Sequence, residues 1–164
     1  MNKTIIFFLV CLFLPGYVMA QNKEIVGWVE RVKIYPGKLS LKAKLDTGSK
    51  TSSLHAPHVV KFKHEGKDWV RFAVANEKGK VVTIEREIYR TVKIKRRNSK
   101  PEERIIIQMD ICLGSVYKTT EVSLVNRGNL IYPVLLGRRF LQGSFIIDPG
   151  ETFTHRPKCK GILK

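Results

Sequence analysis

Along much of the chain apolar and polar residues alternate with a period of two. Leu39, Leu41, Ala43 and Leu45 point one way while Ser40, Lys42 and Lys44 point the other. Val70, Phe72 and Val74 alternate in the same manner with Trp69, Arg71 and Ala73, and further apolar or β-branched runs follow at Val81–Ile84, Ile88–Ile94, Arg104–Cys112, Val116–Val125 and Ser144–Asp148. Turn-forming strings separate these runs: Tyr35-Pro36-Gly37, Glu65-Gly66-Lys67, Asn76 to Lys80, Asn98 to Pro101, Leu113-Gly114-Ser115, Arg127-Gly128-Asn129 and Asp148-Pro149-Gly150. Many short strands at this spacing predict an all-β domain, closed or sandwiched. The one helical candidate is a short turn from Arg138 to Leu141. No repeat or interior linker divides the chain, so one domain is expected over residues 21–164.

Residues 1–20 stand apart. One positive charge at Lys3, an unbroken apolar run from Ile5 to Leu14, the break at Pro15-Gly16 and the small-residue ending at Ala20 read as a signal peptide. The run is too short for a resident membrane helix. Export to the bacterial periplasm or beyond is therefore expected. Cys112 and Cys159 remain after such cleavage. In an oxidising compartment they are able to pair, but spacing alone leaves a disulfide and two free thiols equally open.

Composition changes the picture in one respect. The 164 residues hold 30 Lys+Arg against 14 Asp+Glu, a formal charge of +16, with 43% hydrophobic residues, which excludes a disordered chain. The charge bears on partners, not fold: acidic substrates, the anionic cell envelope or nucleic acid. Export argues against nucleic acid as the partner. Basic residues are densest at Lys93, Lys95, Arg96, Arg97 and Lys100 and again at Lys158, Lys160 and Lys164.

The chemistry begins at Asp46-Thr47-Gly48, which leaves the alternating strand Leu39–Leu45 and runs into Ser49. A carboxylate where an apolar strand ends in a glycine-containing turn is held on a rigid element with backbone N–H groups at hand, and can serve a water molecule as general base. The plainer reading of the same tripeptide is an Asx turn in a hairpin. Farther on, Leu135-Leu136-Gly137-Arg138 precedes the helical candidate and a last strand at Phe145-Ile146-Ile147. A D-T-G turn followed later by two apolar residues, glycine and arginine resembles a retropepsin, the single-lobed aspartic protease. Retroviral enzymes usually place a second Asp soon after D-T-G as partner of that Arg; Lys50 occupies this region here, leaving Arg138 without its expected partner.

A longer resemblance covers about Val26 to Phe153. Val26-Gly27-Trp28-Val29-Glu30, the stretch from Leu41 through Asp46-Thr47-Gly48-Ser49-Lys50-Thr51-Ser52-Ser53-Leu54-His55 to Ala56, then Trp69-Val70-Arg71-Phe72, Arg90-Thr91-Val92-Lys93 and the Leu135–Arg138 block are similar to the bacterial family known as ATP-dependent zinc proteases, considered retropepsin-like in fold. The resemblance implies an all-β, single-lobe, retropepsin-like closed barrel with one short C-terminal helix, and an aspartic-type endopeptidase. It implies catalytic roles for Asp46, Thr47 and Gly48, and supporting or substrate-binding roles for Ser49, Thr51, His55, Leu136, Gly137 and Arg138.

The zinc and ATP of that family name find no motif. His64-Glu65-Gly66-Lys67-Asp68 lacks the second His of a zinc helix, and no phosphate loop ending in Gly-Lys-Ser/Thr occurs. His55-Ala56-Pro57-His58 is expected to be a solvated or hydrogen-bonded pair, and no metal or cofactor is expected. Aspartic catalysis does need two carboxylates sharing one proton. The chain holds four Asp, namely Asp46, Asp68, Asp110 and Asp148, and Asp148-Pro149-Gly150 is a poor second D-T-G. Two copies of Asp46 meeting on a two-fold axis are the direct solution, so a homodimer acting on a peptide or protein is expected. The hairpin around Asn76–Lys80 is the candidate flap. The competing reading is a catalytically silent module that binds peptides or the envelope.

Overall fold

The computed structural model describes residues 22–96, 99–128 and 130–159. The expected signal segment, residues 1–20, lies outside them. Among the described residues eleven strands and one helical turn run in the order β1 (Glu24–Tyr35), β2 (Leu39–Asp46), β3 (Ser52–His55), β4 (Val59–His64), β5 (Lys67–Ala75), β6 (Val81–Glu87), β7 (Arg90–Arg96), β8 (Ser99–Leu113), β9 (Val116–Val125), β10 (Val134–Gly137), α1 (Arg138–Leu141) and β11 (Phe145–Thr152). The all-β class expected from the alternation is what the chain adopts.

Eight strands lie in the order β11-β1-β2-β10-β3-β9-β8-β7, and an added pairing of β1 with β8 closes six of them into a ring. Closure is possible because β1 and β8 are long enough to change neighbours along their length. β1 gives residues 24–29 to β11 and Lys33–Tyr35 to β8, while β8 pairs with β7 through its first half and with β1 through Asp110–Cys112. Closure leaves no bare edge around the ring. The second sheet, β4-β5-β6, contributes Val70, Phe72, Val74 and Ile84 to the same hydrophobic core as Leu39, Leu41, Ala43 and Leu45 of β2. Each such Leu or Phe, fully buried, is worth about 1.5–3 kcal/mol relative to exposure. On β2 burial alternates strictly, as its sequence requires.

β1 shows why it escapes a reading by alternation. Val26 and Gly27 are both buried, as are Val29 and Glu30, because the register with β11 shifts between Gly27 and Val29 and doubles the pattern there. β3, with four residues of which three are buried, is too short to show a period. The Asp148-Pro149-Gly150 string, expected as a turn after the last strand, lies inside β11, which continues to Thr152. The Asp148 side chain accepts from the Gly150 N–H at 2.8 Å, so the Asx bend exists but does not end the strand. Similarly β8 begins at Ser99, within the stretch expected as a turn up to Pro101. The helical turn Arg138–Leu141 falls where expected. It buries Phe140 and Leu141, and the Lys118 ammonium donates to the Phe140 and Gln142 carbonyls at its end.

Beyond β11 the chain is strapped onto the ring. The Phe153 N–H donates to the Val29 carbonyl at 2.8 Å, and Lys158 N–H donates to the Gly114 carbonyl at 2.7 Å. Cys112 and Cys159 form a disulfide with Cα atoms 6.1 Å apart, resolving the open alternative in favour of the bond. Between these points lies Glu30, fully buried. One of its carboxylate oxygens accepts from Gly27 N–H at 2.9 Å, Thr154 N–H at 2.9 Å and the Thr154 hydroxyl. The other accepts from His155 N–H at 3.2 Å. Four donors thus stand in for the water that burial removes from this side chain.

Candidate active site

β2 carries Asp46 as its last residue, one position past the buried Leu45, which places a half-buried carboxylate at the mouth of the ring. The next residues turn back and clasp it. Gly48 N–H donates to Oδ1 at 2.9 Å, Ser49 N–H to Oδ1 at 3.3 Å, and the Ser49 hydroxyl to Oδ2 at 3.0 Å. This is the Asx geometry of the plainer reading, but here both carboxylate oxygens are engaged and the loop is braced from outside.

The brace is β10, parallel to β2 with Leu136 opposite Leu45 and Gly137 opposite Asp46. Leu136 is fully buried and anchors β10 in the core. Gly137 lies against the loop so closely that a Cβ there would sit 2.6 Å from the Thr51 carbonyl oxygen and 2.9 Å from that of Ser49. Only glycine fits that approach. Its N–H donates to the buried Ser52 hydroxyl at 3.2 Å. Arg138 N–H and Arg139 N–H then donate to the Ser49 and Lys50 carbonyls at 2.8 and 3.1 Å.

Arg138, which lacks the second Asp of retroviral enzymes, finds its partner in the loop itself. One terminal nitrogen of its guanidinium donates to the Thr47 carbonyl at 2.8 Å and to the Gly48 carbonyl at 2.7 Å. The arginine thus ties down the D-T-G backbone without an intervening carboxylate. Thr47 is exposed and lines, with Arg138, Leu141, Gln142, Phe145 and Ile147, a cavity of about 320 Å³. Thr51 serves the site through its carbonyl, the surface on which Gly137 rests.

His55 closes β3 on the adjoining side. Its Nδ1 accepts the Arg127 N–H at 2.8 Å. Burial pushes its pKa down and the Arg127 charge acts in the same direction, so the imidazole is neutral and an acceptor, held by the protein. Arg127 itself stood in the sequence only as part of a turn string. Half-buried, it donates from Nη1 to the Ser53 hydroxyl at 3.0 Å and from Nε to the Tyr132 carbonyl at 3.1 Å. Burial pushes its pKa down while the Asp46 carboxylate pulls it back up, which places this cation within electrostatic reach of Asp46. Nothing local announces such a residue: it reaches the site from the β9–β10 connection, seventy-odd positions from Ser53 in the chain.

The charge state of Asp46 follows from these contacts. Burial raises its pKa, but the Ser49 hydroxyl, the Gly48 N–H, the Lys44 charge and the Ser49 N–H together outweigh burial and hold it below the ordinary 3.8. A single chain therefore presents an ionised, oriented carboxylate, competent as a base towards water and lacking the protonated partner an acyl-transfer step needs.

Among the described residues no group of three or more His, Cys, Asp or Glu is gathered as a metal site. His58 is exposed, and His64 packs edge-on to Trp69 at 5.2 Å between ring centroids. The candidate flap, Asn76–Lys80, sits against the other end of β2: Glu77 pairs with Arg31 at 2.6 Å and Lys42 at 2.7 Å, so the hairpin is pinned away from Asp46 and does not cover it.

The fold and sequence have relatives among known proteins. A crystal structure of Lpg0085, a Legionella pneumophila protein of unknown function, superposes with a TM-score of 0.71 at 34% identity, covering 82% of this chain and all of that one. Proteins named probable alpha-L-glutamate ligase are 34% identical over 140 residues in Shewanella pealeana and 33% identical over 162 residues in Desulfotalea psychrophila. These alignments take in 82% and 87% of this chain but 30% and 34% of the relatives, so the chain spans about a third of the length of the curated relatives it matches. The family described as retropepsin-like aspartic endopeptidase RimB matches residues 25–158, and the chain belongs to that family.

Proposed function

We propose that the protein is an exported aspartic-type endopeptidase in which Asp46 from each of two chains shares one proton across a two-fold axis. The observation that carries this reading is the clasped Asp46 carboxylate, oriented through both oxygens and braced by Gly137 and Arg138. In the dimer the mutual repulsion of two carboxylates raises one of them, so that it keeps its proton and donates to the scissile carbonyl while the other takes a proton from the attacking water. Ser49 and Gly48 fix the direction of each carboxylate, and Thr47 and Arg138 face the adjoining cavity where substrate side chains lie. No cofactor enters the scheme.

The substrate class is an acidic peptide. Lys44 lowers the Asp46 pKa and the Asp46 charge in turn raises that of Arg127, the chain carries a net +16, and the relatives' printed names refer to glutamate, the kind of residue such cations attract. Export is supported by the Cys112–Cys159 bond, which belongs in an oxidising compartment. One observation favours the silent binding module: Asp46 sits below the usual carboxylate range in the single chain, which opposes the protonated state that one member of the pair requires.

Peptide hydrolysis by the purified chain decides between them. The enzyme reading expects cleavage that is blocked by a pepstatin-type inhibitor and abolished in Asp46→Asn. Cleavage unchanged in Asp46→Asn would remove the assignment, and binding of acidic peptide without any cleavage would favour the module.

A further inference from the structure

At the end of β2 away from Asp46 lies a cavity of about 540 Å³ ringed by Arg31, Lys33, Lys38, Lys78, Lys80 and Arg156, with Glu77 the one carboxylate in its lining. Leu39 in its lining and Asp46 are the two ends of the eight-residue β2, seven steps and roughly 23 Å apart at the usual rise. Like charges gathered around a concavity repel one another, and a plain solvated face would let them spread; here three separate devices hold them together.

The first is the β1–β2 turn. Gly37 is pressed so near β6 that a Cβ would sit 2.5 Å from a Val82 methyl, and Lys38 takes a left-handed φ of 48°, a conformation that non-glycine residues rarely adopt. The second is the β5–β6 turn. The Asn76 side-chain oxygen accepts from Lys78 N–H and Lys80 N–H, both at 3.0 Å, which stiffens the loop that carries the two lysines. Glu77 fastens this turn to Arg31 and Lys42. The third is the C-terminal strap. Glu30 grips Thr154 and His155 on one side of Arg156 and the Cys112–Cys159 bond fixes the other, so Arg156 is delivered to the rim by chain far away in sequence.

We propose that this cavity binds a ligand carrying several phosphate groups, either a free polyphosphate or the phosphates of a lipid headgroup. Its volume falls within the range of small-molecule sites. Four of the six cations are lysines, compact point charges suited to tetrahedral phosphate, and of the two forked guanidiniums Arg31 is already engaged by Glu77. The cavity would therefore prefer phosphate to carboxylate of equal charge.

The test is calorimetric titration of the whole chain with inorganic tripolyphosphate at fixed ionic strength, and with phosphatidylcholine vesicles containing or lacking cardiolipin. The doubly reversed variant Lys38→Glu, Arg156→Glu is compared with Lys63→Glu, Lys67→Glu, which makes the same change in net charge at the β4–β5 turn. Should the first pair disturb folding by circular dichroism, Lys78→Gln with Lys80→Gln replaces it. One site per chain is expected, weakened at least about tenfold in the cavity variant and within about twofold of the parent in the control. Binding to tripolyphosphate with that dependence supports a free ligand, and binding to cardiolipin vesicles alone with the same dependence supports a lipid source. Equal losses in both variants, binding to neither probe, or equal affinity for the tricarboxylate tricarballylate would overturn the proposal.

Discussion

At its C-terminal end β2 delivers Asp46 into a loop whose own next residues supply the partners of the carboxylate; at its N-terminal end the same strand opens into a cavity whose cations arrive from strand β1, two turns and the strapped tail. The first site is local chemistry buttressed by one parallel strand. The second is assembled from distant segments and is complete only with the strap that carries Arg156 in place. The contrast implies that perturbations of the strap damage the basic cavity and spare the Asp46 loop, while perturbations of β10 do the reverse.

The largest expected effect is at Glu30. Glu30→Ala leaves the N–H groups of Thr154 and His155 without their acceptor and Gly27 N–H with the Thr154 hydroxyl alone, and should cost about 3–5 kcal/mol in urea unfolding, with release of the strap. If the comparison holds, tripolyphosphate binding falls in the surviving folded protein, while Asp46 keeps its carboxylate chemistry. A loss of less than about 1 kcal/mol would mean that the strap is held by the disulfide and its main-chain hydrogen bonds without Glu30.

Next comes Gly137→Ala. The added methyl meets backbone carbonyls that have no flexible side chain to move, so a cost of about 1–3 kcal/mol is expected together with loss of peptide cleavage and intact phosphate binding. Arg138→Ala removes two charge-assisted hydrogen bonds at an exposed position, for which about 1 kcal/mol is expected, with a larger effect on cleavage than on stability. Equal damage at both sites from either variant would break the separation.

The smallest effect is one of titration. The Asp46 pKa in the folded chain lies below its unfolded value, so its contribution to stability is fully present above the ordinary 3.8 and is lost as pH falls through the depressed value. Ser49→Ala removes the hydroxyl bond and should move the Asp46 pKa upward, read by NMR titration of its side-chain carboxyl in the single chain. A downward or absent shift would show that the Ser49 hydroxyl does not direct the charge.

The same contrast explains what was legible in the chain beforehand. β2 and β5 announce themselves because each buries one face at a fixed period, and the Asp46 loop does so because its partners are neighbours in sequence. The Leu136-Gly137 brace was legible only through resemblance to a known pairing of motifs, since nothing in a four-residue strand says which loop it will support. β1 was hidden by its bulge, and Arg127 and Arg156 by distance: each reaches its site through contacts made by residues far along the chain. The partner of Arg138 was illegible for another reason. Main-chain carbonyls carry no sequence signal, so the carboxylate that retroviral enzymes use is replaced by an acceptor that every residue has.

The central claim is that two Asp46 carboxylates act as one unit. It is tested most directly by mixing parent chain with an equal amount of Asp46→Asn chain under conditions of free subunit exchange and measuring peptide cleavage per added parent protein. A shared pair leaves only parent–parent dimers active, about one quarter of the dimers formed, so that cleavage per parent chain falls to about half. Cleavage per parent chain unchanged by the variant would contradict the account, because each Asp46 would then be working alone.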